Sequence, residues 1–278
     1  MEIKQIKKKI VIFTDLDETL LKENKYYHNI LNSFIKKLLI HDYVIIPTTS
    51  KTYLEVIDII KQIKFKLPFS VENGAAYYLP IKYTKDYSYK KILNPYAVNK
   101  VAIKKILSKN IFKNYLKNIK LIESLSSLEQ KKITKLNYKQ LENFNSRQYT
   151  IPILINGDKN FKKNFEASLL KDNLKITFGG KLNNISGLHS KLNSFNFFTN
   201  QYKQRLRNEK LITITLGDNQ NDIEILNNSN YTGIIKNKDY KITNLKKKKN
   251  IFRSFTGAPC GWVEVVKKII IKMERDYN

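Results

Sequence analysis

Apolar and polar positions follow one another along the chain in a pattern typical of strands alternating with helices. Apolar runs predict buried strands at residues 9–14, 43–49 and 68–78, and the third run ends in a turn. Between these runs, apolar positions at helical spacing predict helices over residues 28–40 and 52–63. Strands that alternate with helices in this way indicate βαβ units and a parallel sheet.

The same alternation returns near the end of the sequence, with predicted strands at residues 211–218 and 231–236 and a closing helix at 261–273. The intervening stretch differs, because Lys-rich helical segments there precede two strands separated by a helix. We therefore predict an α/β domain formed by residues 1–82 and 188–278, interrupted by an α+β insertion at residues 83–187.

The charge of the chain is strongly positive. Lys and Arg number 51 and Asp and Glu number 24, so the formal net charge is +27. Such an excess can mark a surface that binds nucleic acid or an anionic membrane. Here the lysines are spread along the whole sequence, and Lys246–Lys249 is the only run of four. We favour a general bias toward lysine, which would still attract a small anionic substrate.

Cysteine use and hydropathy bear on the cellular compartment. The single cysteine, Cys260, excludes an intramolecular disulfide and fits a reducing cytosol. The apolar run Ile10–Phe13 is far shorter than the ~7–15 residues of a signal-peptide core. No apolar stretch approaches the ~18 residues of a membrane span. We therefore expect a soluble, cytoplasmic protein without a membrane partner.

Two acidic turns follow predicted strands. Asp15 and Asp17 lie in "DLDET", and Asp218 and Asp222 lie in "GDNQND". Because the carboxyl ends of parallel strands share one edge of a sheet, we expect these side chains to converge in one crevice. Aspartate is also common in ordinary turns. Two turns with these spacings favour a metal site, since carboxylates this close repel each other unless a cation lies between them. Carboxylate oxygens are suitable ligands for Mg²⁺, and protein-bound Mg²⁺ commonly contacts phosphate substrates.

A third polar turn, "PTTSKT" at residues 47–52, joins a predicted strand to a predicted helix. The hydroxyls of Thr49 and Ser50, with the N–H groups at the helix start, are suited to bind a phosphate. Ser and Thr are also favoured as helix N-caps. An acidic metal site on the same sheet edge favours the phosphate-binding interpretation.

These strings carry a resemblance to a known family. "DLDET", "TSK", a later lysine and "GDNQND" resemble, in this order, the four motifs of the haloacid dehalogenase superfamily of Mg²⁺-dependent phosphohydrolases. "IIPTTSKT", "PFSVENGAAYYLP", "SRQYTIPIL" and "GAPCGWVEVV" resemble the mannosyl-3-phosphoglycerate phosphatases. The resemblance implies a Rossmann-like core with a parallel sheet and an inserted α+β cap. It also implies hydrolysis of mannosyl-3-phosphoglycerate to phosphate and mannosylglycerate, a compatible solute.

The resemblance implies roles for the residues of the turns. Asp15 would be the nucleophile that forms an aspartyl-phosphate, and Asp17 the general acid and later the base. Thr49 would hold phosphoryl oxygens beside the Ser50 backbone. The implied Mg²⁺ ligands are Asp15, the Asp17 backbone carbonyl and Asp218, with Asp222 close behind.

The phosphate-binding lysine is the hardest of these residues to place. The resemblance places it within "GGKLNNISGLHSKLNS", which makes Lys191 the first choice and Lys181 the alternative. Ser190 and Leu192 depart from the family, which has Asp and Gly at these positions. The resemblance therefore does not determine the conformation of this loop or the direction of the lysine.

Residues implied to contact the substrate lie in several segments: Lys51 for the carboxylate, Asn73 for hydroxyls, and Arg147, Gln148 and Tyr149 for the sugar. Three of them also have a structural alternative: Lys51 as a solvated charge at a helix start, Asn73 as a turn former and Arg147 as a surface residue. The family's usual "REYSEP" is "RQYTIP" here, so Gln148 and Ile151 replace two glutamates. Glucosyl-3-phosphoglycerate is therefore the nearest alternative substrate. Another sugar phosphate, a phosphomutase and a basic nucleic-acid-binding protein are the remaining alternatives.

Four further residues bear on the site. Glu18 stands where the superfamily usually has Gly, and we expect its side chain to face away from the metal. His28, His41 and His189 show no metal-ligand spacing. The first two are expected at the surface, and His189 is a lesser candidate for substrate binding because it lies near Lys191.

Overall fold

The computed structural model describes residues 8–22, 29–81, 86–179, 182–206, 209–246 and 249–277. The strands are β1 (Lys8–Thr14), β2 (Val44–Pro47), β3 (Phe69–Val71), β4 (Ala76–Pro80), β5 (Tyr89–Leu93), β6 (Ile119–Leu121), β7 (Thr150–Ile155), β8 (Leu174–Gly179), β9 (Leu182–Gly187), β10 (Lys210–Gly217), β11 (Tyr231–Ile234) and β12 (Ile251–Arg253). The α-helices are α1 (Asn29–Ile40), α2 (Tyr53–Ile63), α3 (Lys100–Leu107), α4 (Lys113–Leu116), α5 (Ser127–Thr134), α6 (Tyr138–Asn145), α7 (Lys159–Leu170), α8 (Lys191–Lys203), α9 (Ile223–Asn228) and α10 (Cys260–Tyr277).

The central sheet has five strands in the order β12-β11-β10-β1-β2, and all neighbouring pairs are parallel. The predicted α/β class with a parallel sheet is therefore confirmed. In the register of β1 and β10, Thr14 pairs with Leu216. Both strands end at the same edge of the sheet, so Asp15 and Asp218 leave it side by side.

Both faces of the central sheet are covered by helices. Successive side chains of a strand point to opposite faces, so the apolar segment Ile10–Phe13 of β1 contributes to two cores. Ile12 packs in the cluster that holds the apolar sides of α1, α2 and α10. Val11 and Phe13 pack on the other face with Phe195 of α8 and Ile225 of α9.

The predicted single strand at residues 68–78 is wrong in one respect, because the chain turns back within it. β3 and β4 pair antiparallel across a turn at residues 72–75, and β5 pairs with β4. Glu72, Asn73 and Gly74 have φ angles of 48°, 57° and 92°. At Gly74 a Cβ atom would lie 2.2 Å from the Ser190 carbonyl oxygen, so only glycine allows this close approach.

A four-stranded sheet, β6-β7-β9-β8, is antiparallel throughout and lies within the predicted insertion. We refer to residues 100–187, from the start of α3 to the end of β9, as the cap. One face of its sheet carries Ile151, Ile176 and Ile185, which form a separate apolar core with residues of α3 and α7 such as Phe165. The domain boundaries near residues 83 and 187 remain predictions.

Two further observations bear on the compartment. Within the described ranges, none of the helices combines the length and the apolar character that crossing a bilayer requires. Cys260 is exposed at the first position of α10. The cytoplasmic location remains a prediction.

Candidate active site

Two hydrogen bonds hold the backbone of Asp15 at the end of β1. Its N–H donates to the Leu216 carbonyl of β10 at 3.0 Å. Its carbonyl accepts from the Thr14 hydroxyl at 2.7 Å, and that hydroxyl accepts from the indole N–H of Trp262 at 3.0 Å. Trp262 is fully buried in α10. The nucleophile predicted from the resemblance therefore lies on a rigid part of the core.

The structure brings the two acidic turns together at one edge of the sheet. Asp15, Asp218 and Asp222 are buried, and one carboxylate oxygen of each lies within 4.8 Å of the others. Gly217 permits this packing, because a Cβ atom there would lie 2.5 Å from the Cβ of Asp222. These three carboxylates form a candidate metal site of oxygen ligands.

Lys191 lies between two of these carboxylates. Its Nζ is 2.7 Å from Asp15 Oδ1 and 2.7 Å from Asp222 Oδ1, and its side chain is 1% exposed. It is the first residue of α8, where the backbone N–H of Ser190 donates to Asn193 Oδ1 at 2.8 Å. The departures at Ser190 and Leu192 thus leave the lysine directed at Asp15. Lys181 and His28 lie outside the described residues.

Burial and like charges perturb the acidic cluster. Burial, reinforced by Asp222 and Asp17, raises the pKa of Asp15 to about 7 although Lys191 opposes this. Burial, with Asp222 and Asp15, raises the pKa of Asp218 to about 8. Burial disfavours the charged form of Lys191, but the two carboxylates outweigh it and raise its pKa. Three carboxylates beside one ammonium leave an excess of negative charge, which fits a divalent cation.

Two residues that sequence reasoning missed orient Asp218. The Thr19 hydroxyl donates to Asp218 Oδ1 and the Asn237 amide donates to Asp218 Oδ2, both at 2.5 Å. Thr19 could have been found from the D-x-D-x-T spacing. Asn237 lies in a loop after β11 and has no local signature. By contrast, Asp222 Oδ2 faces the backbone N–H of Asp218 at 3.2 Å.

Asp17 lies outside the buried acidic cluster. Its side chain is 42% exposed, and its Oδ1 lies 2.8 Å from Lys51 Nζ. The Lys51 side chain is only 8% exposed, and Glu55 is also nearby at 3.8 Å. Burial opposes the charge of Lys51, but Asp17 and Glu55 raise its pKa. Glu18, the next residue after Asp17, has a φ of 56°, which explains why glycine suits this position.

The polar turn after β2 is braced by the turn after β3. Thr49 is buried, its hydroxyl accepts from the Lys51 N–H at 3.2 Å, and its carbonyl accepts from the Asn73 N–H at 2.8 Å. The N-cap of α2 is Thr52, so Thr49 and Ser50 do not have the capping role considered as their alternative. Among the described residues, Asn73 Oδ1 is buried and has no hydrogen-bond partner.

Arg147 reaches from the cap to this turn. Its Nη1 donates to the Ser50 carbonyl at 2.9 Å and to the Thr150 hydroxyl at 3.1 Å. The guanidinium lies 4.4 Å from the ring centroid of Phe144, and the residue is 8% exposed. Arg147 is therefore not the solvated surface residue that was its structural alternative.

The other two sugar-binding candidates, Gln148 and Tyr149, both lie close to Lys91. Gln148 is exposed and its Oε1 accepts from Lys91 Nζ at 2.7 Å. Tyr149 is buried, with Lys91 Nζ 5.0 Å from its ring centroid. Both border a cavity of about 170 Å³ at the junction of core and cap, which the acidic cluster does not line. The cavity is lined by Tyr53, Leu54, Val71, Glu72, Tyr78, Ser146, Gln148 and Tyr149.

The remaining histidines differ in environment. His41 is exposed after α1, as expected. His189 is fully buried, and its Nε2 lies 3.0 Å from the Glu72 carbonyl oxygen. Burial lowers the pKa of His189 to about 4, with Lys175 adding to the effect.

A family model described as haloacid dehalogenase-like hydrolase matches residues 12–251, which include every residue of the acidic cluster. The chain belongs to the haloacid dehalogenase-like hydrolases. This membership confirms the resemblance that the four short strings carry.

Curated relatives of this haloacid dehalogenase-like hydrolase extend over most of its length. A glucosyl-3-phosphoglycerate/mannosyl-3-phosphoglycerate phosphatase from Persephonella marina is 29% identical and covers 96% of this chain and 99% of the relative. A protein of the same name from Methanococcoides burtonii is 24% identical, covering 95% and 98%. A mannosyl-3-phosphoglycerate phosphatase from Pyrococcus furiosus is 27% identical, covering 76% and 85%. The predicted enzyme class, a phosphoric monoester hydrolase, is confirmed by these matches.

Solved structures share the fold of this hydrolase. A protein of Thermoplasma acidophilum superposes with a TM-score of 0.66 at 12% identity, over 94% of this chain and 98% of that chain. The sucrose-phosphatase of Synechocystis, solved with sucrose and phosphate, superposes with a TM-score of 0.56 at 13% identity, with the same coverage. At these identities the likeness establishes the fold only. It confirms the predicted core with an inserted cap.

Proposed function

We propose that this hydrolase releases phosphate from mannosyl-3-phosphoglycerate through an aspartyl-phosphate, with glucosyl-3-phosphoglycerate as a second candidate substrate. The observation that carries the proposal is the position of Lys191 between Asp15 and Asp222, beside Asp218. This arrangement combines a carboxylate nucleophile, a cation for the phosphoryl group and oxygen ligands for a metal. The names of the Persephonella and Methanococcoides relatives support the substrate class and both sugars.

The donor set fits Mg²⁺, because it consists of buried carboxylates with an excess of negative charge. We propose Asp15 and Asp218 as its side-chain ligands, with the Asp17 backbone carbonyl as the family resemblance implies. Asp222 bonds Lys191 with one oxygen and faces backbone N–H groups with the other, so its role is to orient rather than to ligate. When bound, the cation would neutralise charge on the phosphoryl oxygens.

In the first step, a carboxylate oxygen of Asp15 attacks phosphorus and the bond from phosphorus to the glycerate oxygen breaks. The glycerate oxygen takes a proton from Asp17, which is the general acid. Lys191, held 2.7 Å from Asp15, and the Thr49 hydroxyl would contact the phosphoryl oxygens, whose charge grows in the transition state. The products are the sugar glycerate and aspartyl-phosphate at Asp15.

In the second step, water attacks the phosphorus of the aspartyl-phosphate and gives a proton to the Asp17 carboxylate. The bond from phosphorus to the Asp15 oxygen breaks, which releases inorganic phosphate and restores the Asp15 carboxylate. Asp17 is then protonated again, ready for the next substrate. Partial exposure of Asp17 allows water and product to reach it.

Recognition of the rest of the substrate is proposed for residues around the crevice. Lys51 is a buried cation beside Asp17 and is suited to the substrate carboxylate. Asn73 offers a buried acceptor to a sugar hydroxyl. Arg147, which donates from the cap to the Ser50 carbonyl, is the candidate for contacting the sugar. We place the reaction in the cytoplasm, where a chain with one cysteine suits reducing conditions.

Phosphate release from a substrate panel tests the proposal. The panel comprises mannosyl-3-phosphoglycerate, glucosyl-3-phosphoglycerate, 3-phosphoglycerate, sucrose 6-phosphate and p-nitrophenyl phosphate, each assayed after chelation and after Mg²⁺ is restored. We expect the two sugar phosphoglycerates to give the highest kcat/KM and chelation to abolish turnover reversibly. Asp15→Ala, purified in parallel, controls for contaminating phosphatase.

Three outcomes would contradict parts of the proposal. Comparable rates on all five substrates would remove the substrate claim and leave a general phosphatase. Chelation that Mg²⁺ cannot reverse would count against the metal assignment. Turnover retained in Asp15→Ala would exclude Asp15 as the nucleophile.

A further inference from the structure

The backbone of Glu72 joins two functional parts of the core. Its N–H donates to the Lys51 carbonyl at 2.9 Å, next to the phosphate-binding turn. Its carbonyl accepts a hydrogen bond from Nε2 of His189 at 3.0 Å, two residues before Lys191. Its φ of 48° lies in the left-handed region, which residues other than glycine rarely adopt. Such an unusual backbone, held by its surroundings, points to a constraint at this residue.

The carboxylate of Glu72 bonds the cap instead of the core. It is 2% exposed and accepts three hydrogen bonds from residues 148–150, the last of which begins β7. The donors are the Gln148 N–H and the Tyr149 N–H, both at 2.9 Å, and the Thr150 hydroxyl at 2.7 Å. Hydrogen bonds to an ionised acceptor are stronger than those between neutral groups. All three form between segments more than 70 residues apart in sequence.

The Thr150 hydroxyl extends this contact to the phosphate-binding turn. It donates to Glu72 and accepts from Arg147 Nη1, which also donates to the Ser50 carbonyl. Glu72, Thr150 and Arg147 therefore form one connected path that leaves the core, enters the cap and returns to the core. Thr150 is fully buried and Arg147 is 8% exposed, so water competes little with these bonds.

We propose that Glu72 is a positioning residue that ties the placement of the cap to the phosphate-binding turn. This inference rests on the proposed function, since it assigns the contact between cap and core a role in binding the substrate. Separation of cap and core at this point would break three hydrogen bonds to one buried carboxylate, which then must be hydrated. Glu72 thereby favours the arrangement in which Arg147 lies over Ser50. Glu72 acts by positioning Arg147 and does not contact the reacting atoms.

The test is Glu72→Gln, which keeps the shape but replaces one acceptor oxygen with a donor. The matched control is Glu264→Gln, because Glu264 also accepts from two backbone N–H groups, of Phe255 and Thr256, but lies within the core. We expect hydrogen–deuterium exchange of the peptide 146–152 to rise about tenfold in Glu72→Gln and to stay unchanged in Glu264→Gln.

Steady-state kinetics provide a second measurement, which distinguishes a positioning role of Glu72 from a purely structural one. For a sugar phosphoglycerate, we expect Glu72→Gln to raise KM about tenfold and to change kcat less. For p-nitrophenyl phosphate, which is too small to use the cap contacts, we expect kcat/KM within about twofold of the wild type. Equal losses on both substrates would indicate a general defect and would overturn the inference.

Thr150 supplies an independent pair of variants if Glu72→Gln fails to fold. Thr150→Val removes the hydroxyl that joins Glu72 to Arg147, whereas Thr150→Ser keeps it. We expect Thr150→Val to raise both exchange and KM, and Thr150→Ser to match the wild type. Unchanged exchange in both Glu72→Gln and Thr150→Val would overturn the inference. A wild type that hydrolyses no sugar phosphoglycerate would instead remove the proposed function, while the exchange result would still decide whether Glu72 holds the cap.

Discussion

The ammonium group of Lys51 lies 2.8 Å from the carboxylate of Asp17, so the proposed general acid and the proposed carboxylate-binding cation are a pair. A substrate carboxylate that binds Lys51 would compete with Asp17 for the same charge. Binding of the correct substrate would then release Asp17 from its partner at the moment when it must carry a proton. Recognition of the glycerate end and catalysis would therefore depend on each other.

This pairing predicts that Lys51→Met discriminates between substrates. We expect kcat/KM to fall about tenfold or more for a sugar phosphoglycerate and by a smaller factor for p-nitrophenyl phosphate, which has no carboxylate. Lys61→Met, at an exposed position of the helix α2 that follows Lys51, is the control and should change neither value. Equal losses on both substrates would show that Lys51 acts only through Asp17.

Neutralising Asp15, the proposed nucleophile, should lower activity and raise stability. In Asp15→Asn we expect turnover to fall at least about a hundredfold, because the amide cannot form the acyl-phosphate. The same change removes one of three buried like charges, so without divalent ions the free energy of unfolding at pH 8 should rise by about 1 kcal/mol. Urea denaturation measures this. Glu142→Gln, on the exposed side of α6, should shift it by less than about 0.5 kcal/mol.

The raised pKa values of Asp15 and Asp218 predict how the metal-free protein responds to pH. Their folded pKa values, about 7 and about 8, exceed the ordinary aspartate pKa of 3.8, so the folded state holds more protons than the unfolded state in this range. Stability must then fall as pH rises between pH 6.5 and pH 8, because the folded protein gives up protons that the unfolded chain has already lost. Below pH 6.5 the buried neutral His189, with a pKa of about 4, acts in the opposite direction.

Thermal unfolding with a chelator and with Mg²⁺ measures this dependence. Since the cation binds the ionised carboxylates, the stabilisation by Mg²⁺ should be larger at pH 8 than at pH 6.5. A metal-free protein whose stability is flat or rises over this interval would show that the three carboxylates do not interact as the geometry indicates.

The parts of the fold that follow from local pattern could be predicted from the sequence. Asp15 and Asp218 come directly after apolar strands, and the alternation of strands and helices is enough to predict that both lie at one edge of the sheet. Lys191 required the family resemblance, because lysines are too frequent here for chemistry to select one. The turn within residues 68–78 was missed, since an apolar run on both sides of it hides the reversal.

Contacts between distant segments could not be predicted in this way. Glu72 meets residues 148–150 of the cap, and Asn237 meets Asp218 from a loop after the neighbouring strand. Nothing in the periodicity near either residue indicates its partner. A single acidic residue directly after the apolar "PFSV", in a chain poor in acidic groups, was the one available indication for Glu72.

Asp218 and Asp222 should differ in their dependence on Mg²⁺, although the sequence made both of them candidate ligands. Asp218 is held by the Thr19 and Asn237 side chains, whereas Asp222 bonds Lys191 and faces backbone N–H groups. We expect Asp218→Asn to raise the Mg²⁺ concentration for half-maximal rate at least about tenfold, with activity partly restored at high Mg²⁺. Asp222→Asn should lower kcat by a similar factor without such recovery, because what it loses is the placement of Lys191. If added Mg²⁺ restores Asp222→Asn as well as it restores Asp218→Asn, then Asp222 is a ligand in its own right and the division of roles proposed for the two carboxylates is wrong.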